Sequence, residues 1–460
     1  MYTGQVMIVG GGAAGLAAAI AAAREQVPVT LFEKGPKPGR KIMISGAGRC
    51  NLTNSAPLQA FIEQYFGNGQ FLYPAFTAFF RDDLLSLLEE TGLRTKAEHN
   101  GKIFPKTDRA LDVVDSLTSL ARQAGTVFHF SEPVKDITFS GNRAGDGQGN
   151  GPDETPVRLK TSYQHPGFQI LTSQGCYQST CIVITTGGYS WPQTGSCGDG
   201  YKLAGALGHS LTPARPALTG LKLRDTSFRS LQGISHPLVR LRLIHGSQKI
   251  GSSQGELIWT HYGLSGPAVL RISRDLPYKC ADQADPDPAH RNKAAQSCGA
   301  SACPCHIEID FLPSLSADAL RQTLREKLIQ QPRKHLSNVL SDCLPLPSLL
   351  LRQIMQHCEI ETDHKAASAS RTQTEAILTA LKGLRLEITE SRGYQDAMVT
   401  AGGVRLSEIN PRTMESRLLP GLFFAGEVLD IDGDTGGYNL QAAFSTGWLA
   451  GQQAARSVLE

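Results

Sequence analysis

The chain has 460 residues, 40% of them apolar and 19% charged, an ordinary composition for a folded protein of two or three domains. Its 45 basic and 42 acidic residues leave a net charge of +3, too small to imply a nucleic acid or an anionic membrane as partner. No run of about eighteen apolar residues is present to span a membrane, and the ten scattered cysteines suit reduced thiols, so a cytoplasmic protein is expected.

An apolar strand over residues 5–9 runs into Gly10-Gly11-Gly12-Ala13-Ala14-Gly15 and on into an alanine-rich helix. Gly10, Gly12 and Gly15 have the G-x-G-x-x-G spacing. The first allows a tight turn, the second lets backbone approach a pyrophosphate, and the third lets the helix sit close on a sheet. The helix N-terminus would aim amides and a positive dipole end at phosphates. A second strand over 29–32 ends at Glu33, where an acid would meet a ribose hydroxyl. Strand, turn, helix, strand and acid in that order predict a dinucleotide site.

Residues 35–54 form a glycine-rich loop with interleaved basic, hydroxyl and amide groups, a composition that wraps ligands. Arg40, Lys41 and Arg49 would counter phosphate charge; Ser45, Asn51 and Thr53 would offer hydrogen bonds. Helices are expected over 71–95 and 110–124, and strands over 127–130 and 133–137. Residues 142–167 are dense in Gly, Asn, Asp and Pro and predict a surface excursion. The chain returns in strands over 168–172 and 181–184, the latter ending in Thr185-Thr186-Gly187-Gly188. No second G-x-G-x-x-G follows a strand, so no second nucleotide fold is indicated.

From about residue 210 the pattern changes to short alternating runs, such as 238–244, which predict antiparallel strands. Cys298, Cys303 and Cys305 end a polar stretch but have no C-x-x-C pair and no convincing fourth ligand, so no metal site is expected. Helices follow over 317–330, 335–343, 349–359 and 374–381, with Ser316 as N-cap of the first, and 384–388 alternates as a strand. A buried strand over 422–426 then ends at Glu427, and Gly436-Gly437-Tyr438-Asn439-Leu440-Gln441 opens a last helix.

Six blocks of sequence carry a resemblance to one family. They are residues 39–54 (GRKIMISGAGRCNLTN), 101–105 (GKIFP), 256–267 (ELIWTHYGLSGP), 399–404, 410–416 and 421–441. Together they resemble the YhiN/BaiN-like flavoproteins, also described as aminoacetone-oxidase-like FAD-binding enzymes. The resemblance implies an α/β fold: a discontinuous Rossmann-type FAD-binding domain over 1–195 and 395–460. Into it would be inserted a β-rich, barrel-like substrate domain over 196–313 and 383–394, carrying a helical subdomain over 314–382. It implies FAD held by Gly10, Gly12, Ala13, Ala14, Gly15, Glu33, Lys34, Arg40, Lys41, Ser45, Asn51, Val134, Gly187, Gly188, Gly426, Glu427, Gly437, Asn439 and Leu440. Val134 would meet the adenine through its backbone, Glu427 the ribityl chain, and the helix after Gly437 the flavin pyrimidine carbonyl.

For catalysis the candidates are His261, on a segment expected to face the flavin, and Cys50, in the loop expected beside it. The reading is an FAD-dependent oxidoreductase reduced by NADH or NADPH that passes electrons to a small organic acceptor. Its alternatives are an oxygen-using amine oxidase and an RNA-associated flavin-bound module, the last disfavoured by the near-neutral charge.

Overall fold

The computed structural model describes residues 4–141, 167–277 and 304–460. Residues 142–166 of the excursion expected at 142–167, together with Cys298 and Cys303, lie outside the described residues. The chain divides into two compact units, Met1–Ala214 with Val399–Glu460, and Arg215–Met398.

The first unit contains β1 (Val6–Val9), α1 (Ala13–Arg24), β2 (Val29–Glu33), α2 (Arg40–Ile44), β3 (Val127–Phe130), β4 (Cys181–Ile184), β5 (Leu422–Phe424) and α3 (Tyr438–Leu459). The strands form one parallel sheet in the order β5-β4-β1-β2-β3, with Val9 level with both Ile184 and Phe32. Every residue of β1, β4 and β5 is buried. Strands covered on both faces read as unbroken apolar runs, which is why these three lack alternation.

The small residues of α1 do more than let it lie on the sheet. Its strongest partner is α3, and the two backbones approach so closely that a Cβ on Gly447 or Gly451 would run into the carbonyl oxygens of Ala14 and Ala18. The C-terminal helix is thereby locked to the first glycine turn.

The expected helix over 71–95 is broken into Gly69–Leu72, Tyr73–Ala78 and Arg81–Glu89. Phe79 is extended, with φ −157° and ψ 107°, and the Asp83 carboxylate then accepts the Phe80 amide at 2.8 Å to start a new helix. The first unit also runs on to residue 214 where the sequence boundary falls at 195. Helix Asp199–Ala206 packs on Val134–Phe139 and Val399–Val404, both in that unit.

The second unit is a closed six-stranded antiparallel barrel. Its ring order is Leu221–Leu223, Gly263–Ser265, Gln248–Thr260, Ser235–His245, Cys305–Asp310 and Leu384–Ser391. Val239, Leu241 and Leu243 point inward beside Ile307, Ile309, Leu384 and Leu386, while Arg242 between them is exposed, the period of two that the sequence shows. Four helices, Ala317–Gln330, Leu336–Cys343, Ser348–His357 and Arg371–Gly383, are inserted before the last barrel strand. Ser316 caps the first by accepting the Ala319 amide at 3.1 Å. No helix among the described residues is long and apolar enough to cross a membrane.

Candidate functional site

The glycine turn sits at the carboxyl ends of β1, β4 and β2, the place where open parallel sheets bind ligands. Gly10 has φ +106°, and a Cβ there would press on the Thr185 carbonyl. A Cβ on Gly15 would overlap the Gly10 carbonyl oxygen, so only glycine lets α1 start this close to the turn. At Gly12 the added atom would meet nothing within 4 Å. That open face, over the uncapped N-terminus of α1, is room for a pyrophosphate at the amides of Gly12, Ala13 and Ala14. Glu33, at the end of β2, accepts the amides of Gly11 at 2.8 Å and Gly35 at 2.7 Å. Its carboxylate is thus held at the edge of the turn.

The basic residues that follow are engaged with one segment of chain. Lys34 pairs with Asp199 at 2.5 Å, Arg40 donates to the Gln193 carbonyl at 2.6 Å, and Lys41 donates to Ser190 Oγ at 2.8 Å. Lys41 also pairs with Glu427 at 2.7 Å. Glu427 accepts further bonds from Ser190 Oγ at 2.5 Å and the Thr400 amide at 3.0 Å. The Thr400 hydroxyl in turn accepts the amides of Tyr189 and Ser190. A Cβ on Gly188 would run into that same hydroxyl, while Gly187 takes φ +75°. One network therefore ties α2, the Gly187-Gly188 turn and the end of β5 together. Glu427, expected at a ribityl chain, has three protein donors here.

Asn51 to Asn54 lead to the N-terminus of α3. Asn54 donates to the Gly436 carbonyl at 3.1 Å, and a Cβ on Gly437, at φ +98°, would meet the Thr53 carbonyl. The first intrahelical bond of α3 runs from the Gln441 amide to the Gly437 carbonyl, and no side chain caps the helix. The amides ahead of it, at Asn439 and Leu440, are free for a ligand's carbonyl. Asn51 Oδ1 and Thr53 Oγ1 are buried beside it without a partner. Buried polar atoms are normally hydrogen-bonded, so these two mark a place where a polar ligand would complete the set. The Asn439 side chain instead pins the preceding loop, accepting from the Gly433 amide and donating to the Gly433 carbonyl. Gly426 sits against Ala14 and donates its amide to Thr446 Oγ1 at 3.0 Å. Open backbone at Gly12, free amides on two helices and the orphaned Asn51 and Thr53 side-chain atoms fit an FAD.

The remaining candidates are placed differently. Val134 is half-buried on its strand, opposite Thr172. Ser45 Oγ donates to the Ile42 carbonyl at 2.7 Å. Cys50 is fully buried at φ +62°, and burial pushes its thiol up to about 12, only partly offset by the Ser45 hydroxyl. It is held as a neutral thiol, without the thiolate that redox or nucleophilic chemistry needs. Arg49 stacks over Phe104 at 4.0 Å and pairs with Glu98 at 2.9 Å, fastening the loop to the strand Lys102–Pro105 instead of facing a phosphate. His261 lies in the second unit, exposed on the turn between Thr260 and Gly263 and edge-on to Tyr262.

Sequence reading missed Asp199, Ser190 and Thr400, which meet Lys34, Lys41 and the Tyr189 amide across 149 to 211 residues of chain. It also missed a buried acid near the edge of the turn. Glu132 is 1% exposed and its amide bonds the Glu33 carbonyl. Burial opposes its ionisation, but hydrogen bonds from Thr172, His129 and Tyr177 outweigh that and draw the carboxyl below its ordinary range. No local spacing signals such a cluster.

Comparison with known proteins adds relatives of full length. The model of the HI0933-like protein Rossmann domain matches residues 4–453. A 3-dehydro-bile acid delta(4,6)-reductase of Clostridium scindens is 30% identical over 98% of this chain and 99% of its own. A ribosomal RNA dihydrouridine synthase of Escherichia coli is 30% identical over 97% of this chain and 96% of its own. A protein of the same name from Haemophilus influenzae is 29% identical over 96% of each. Two relatives are thus named for an RNA, so the expectation of no nucleic acid partner does not follow from them.

Proposed function

The chain belongs to the HI0933-like family, a family of flavoprotein oxidoreductases, and from that premise we propose that it reduces a carbon–carbon double bond conjugated to a carbonyl group, with NADH or NADPH as the source of electrons. One observation carries this reading: the full-length relatives are named for one chemistry on unlike molecules. A delta(4,6)-reductase acting on a 3-dehydro bile acid saturates double bonds conjugated to a ketone. Dihydrouridine forms when the double bond of uracil, conjugated to its ring carbonyl, is saturated.

FAD would supply a hydride after taking one from the nicotinamide. The chain's own groups bind and orient it. The amides of Gly12, Ala13 and Ala14 would hold the pyrophosphate and Glu33 the ribose. The α3 N-terminus, with its positive dipole end, would favour negative charge on the ring carbonyl it faces. Glu427 holds Lys41 in place, keeping one cation at the carboxyl ends of the central strands.

The acceptor in the first reading is a small organic molecule. A uracil base in RNA is the second reading, favoured by how the charge is distributed. Residues 215–398 hold 23 basic and 18 acidic residues, while the rest of the chain holds 22 and 24. The net +3 conceals a positive second unit.

The test is an anaerobic titration of the FAD-loaded protein. Bleaching by NADPH or NADH, return of the oxidised bands on adding a conjugated 3-oxosteroid acid or a uridine-containing RNA, and a product gaining two hydrogens is the expected result. Bleaching by aminoacetone and not by either nicotinamide would overturn it in favour of amine oxidation.

A further inference from the structure

Just beyond β3, a buried acid gathers three strands of the first unit. Glu132 is 1% exposed. One of its carboxylate oxygens accepts Thr172 Oγ1 at 2.6 Å and the Tyr177 hydroxyl at 2.9 Å, and the other lies 2.7 Å from His129 Nδ1. Thr172 ends the strand Phe168–Thr172, Tyr177 lies on Cys176–Ser179, and His129 lies on β3. A buried charge is tolerated when hydrogen bonds replace its water, and three side-chain donors do so here. The carboxyl is held below its ordinary range and is an anion at neutral pH, so His129 Nδ1 carries a proton and donates.

The backbone beside Glu132 shows what this anchor holds. The Glu132 amide donates to the Glu33 carbonyl at 3.1 Å, and the Ser131 amide donates to the Gly35 carbonyl at 2.9 Å. Ser131 takes a left-handed φ of +55°, a strained conformation that persists only where its surroundings enforce it. Phe32, the residue before Glu33, packs against the same donors, its ring 5.0 Å from that of His129 and 4.9 Å from that of Tyr177. Residues 32–35 are therefore held at three points, and each leads back to Glu132 or its neighbour.

Glu33 is left in a defined pose. Its Oε2 accepts the Gly11 amide and its Oε1 the Gly35 amide, one donor to each oxygen. A carboxylate oxygen accepts more than one hydrogen bond, so each keeps capacity for a hydroxyl. We propose that Glu132 is a positioning residue for cofactor recognition: by locking residues 33–35 it holds the Glu33 carboxylate in the pose that accepts the adenosine ribose of FAD. This rests on the reading that FAD binds at the glycine turn. Glu132 touches no cofactor atom in this role and acts only through Glu33. A Glu33 released from the anchor keeps its charge and loses its aim.

The test is a double-mutant cycle on the affinity of the flavin-free full chain for FAD, read by quenching of flavin fluorescence. Glu33→Gln should weaken FAD about tenfold, the scale of one hydrogen bond between a hydroxyl and a charged acceptor. Glu132→Gln should weaken it by a similar factor, and the double variant should be no weaker than Glu33→Gln alone. A residue that only supports the fold would act independently, and the double variant would then lose about a hundredfold. The second readout is the preference for ADP over 2′-deoxy-ADP, about tenfold in the wild type by the same scale and absent in both single variants. Melting curves show whether Glu132→Gln has folded. Tyr177→Phe removes one donor at a half-buried position, should lower the same preference by a smaller factor, and keeps the test decisive if the glutamine variant does not fold. Additive losses in the cycle, a wild type without preference for ADP, or a preference undiminished in Glu132→Gln and Tyr177→Phe overturns the positioning role. Any of these beside tight FAD binding by the wild type removes that role and leaves the cofactor reading. A wild type that binds no FAD overturns the cofactor reading itself, and the role of Glu132 falls with it.

Discussion

At the scale of single residues, the glycines of the turn separate folding from binding. Gly15 is a folding residue, because any Cβ there collides with the Gly10 carbonyl. Gly12 is not, because the space beside it is empty of protein. Gly12→Ala should therefore leave the melting temperature of the flavin-free protein within a degree or two and raise the FAD dissociation constant at least tenfold, about 1.4 kcal/mol. Isothermal titration with FAD beside a melting curve checks both halves. Equal FAD affinity in the variant would place the pyrophosphate elsewhere. The tight packing at Gly10 and Gly15 was legible in the sequence because the spacing of these glycines is local. The basic residues were legible only as charges. Lys41 meets Glu427 across 386 residues, and nothing in residues 34–54 indicates that the cations there clamp chain around Ser190 and Asp199.

At the scale of elements, the alanines of α1 were read as small residues for close approach, and the structure identifies what approaches. The C-terminal helix brings Gly447 and Gly451 against the backbone of Ala14 and Ala18. A Cβ on Gly451 would force the two helices apart along a contact where all but one residue of α1 is buried. Gly451→Ala should cost about 1–3 kcal/mol, the usual price of overpacking a tight interface. Because α1 and α3 both begin at the proposed cofactor site, the flavin should also dissociate faster. Denaturant midpoints together with the rate of flavin release check this. An unchanged midpoint would mean that the helices yield without strain. The opposite lesson comes from residues 71–95. Their leucine stripe is real, with Leu84, Leu87 and Leu88 buried, but periodicity alone does not reveal that Phe79 turns the chain before it.

For the whole molecule, the discontinuity of the first unit was legible because its two halves each carry a glycine-opened helix, at Gly12 and at Gly437. The point of exchange was not, since it is set by pairing across the insertion. Ser210 accepts the Arg405 amide at 3.0 Å, and Gly402 lies so close to Pro213 that a Cβ would collide with its carbonyl. The chain therefore leaves and re-enters the first unit on neighbouring stretches, and a linker of a few Gly and Ser residues can join Ala214 to Val399. Each unit has its own buried core, the first around β1, β4, β5 and the α1–α3 pair, the second inside the barrel. All the residues placed at the proposed FAD site belong to the first, whereas His261 belongs to the second. The spliced first unit should fold, take up FAD with an affinity within about tenfold of the full chain, and show oxidised flavin bands. Visible spectra and FAD titration on the spliced protein check these together. A soluble, folded splice that binds no FAD would show that the second unit contributes to the cofactor site, and the division of labour drawn from residues 1–214 and 399–460 would fall.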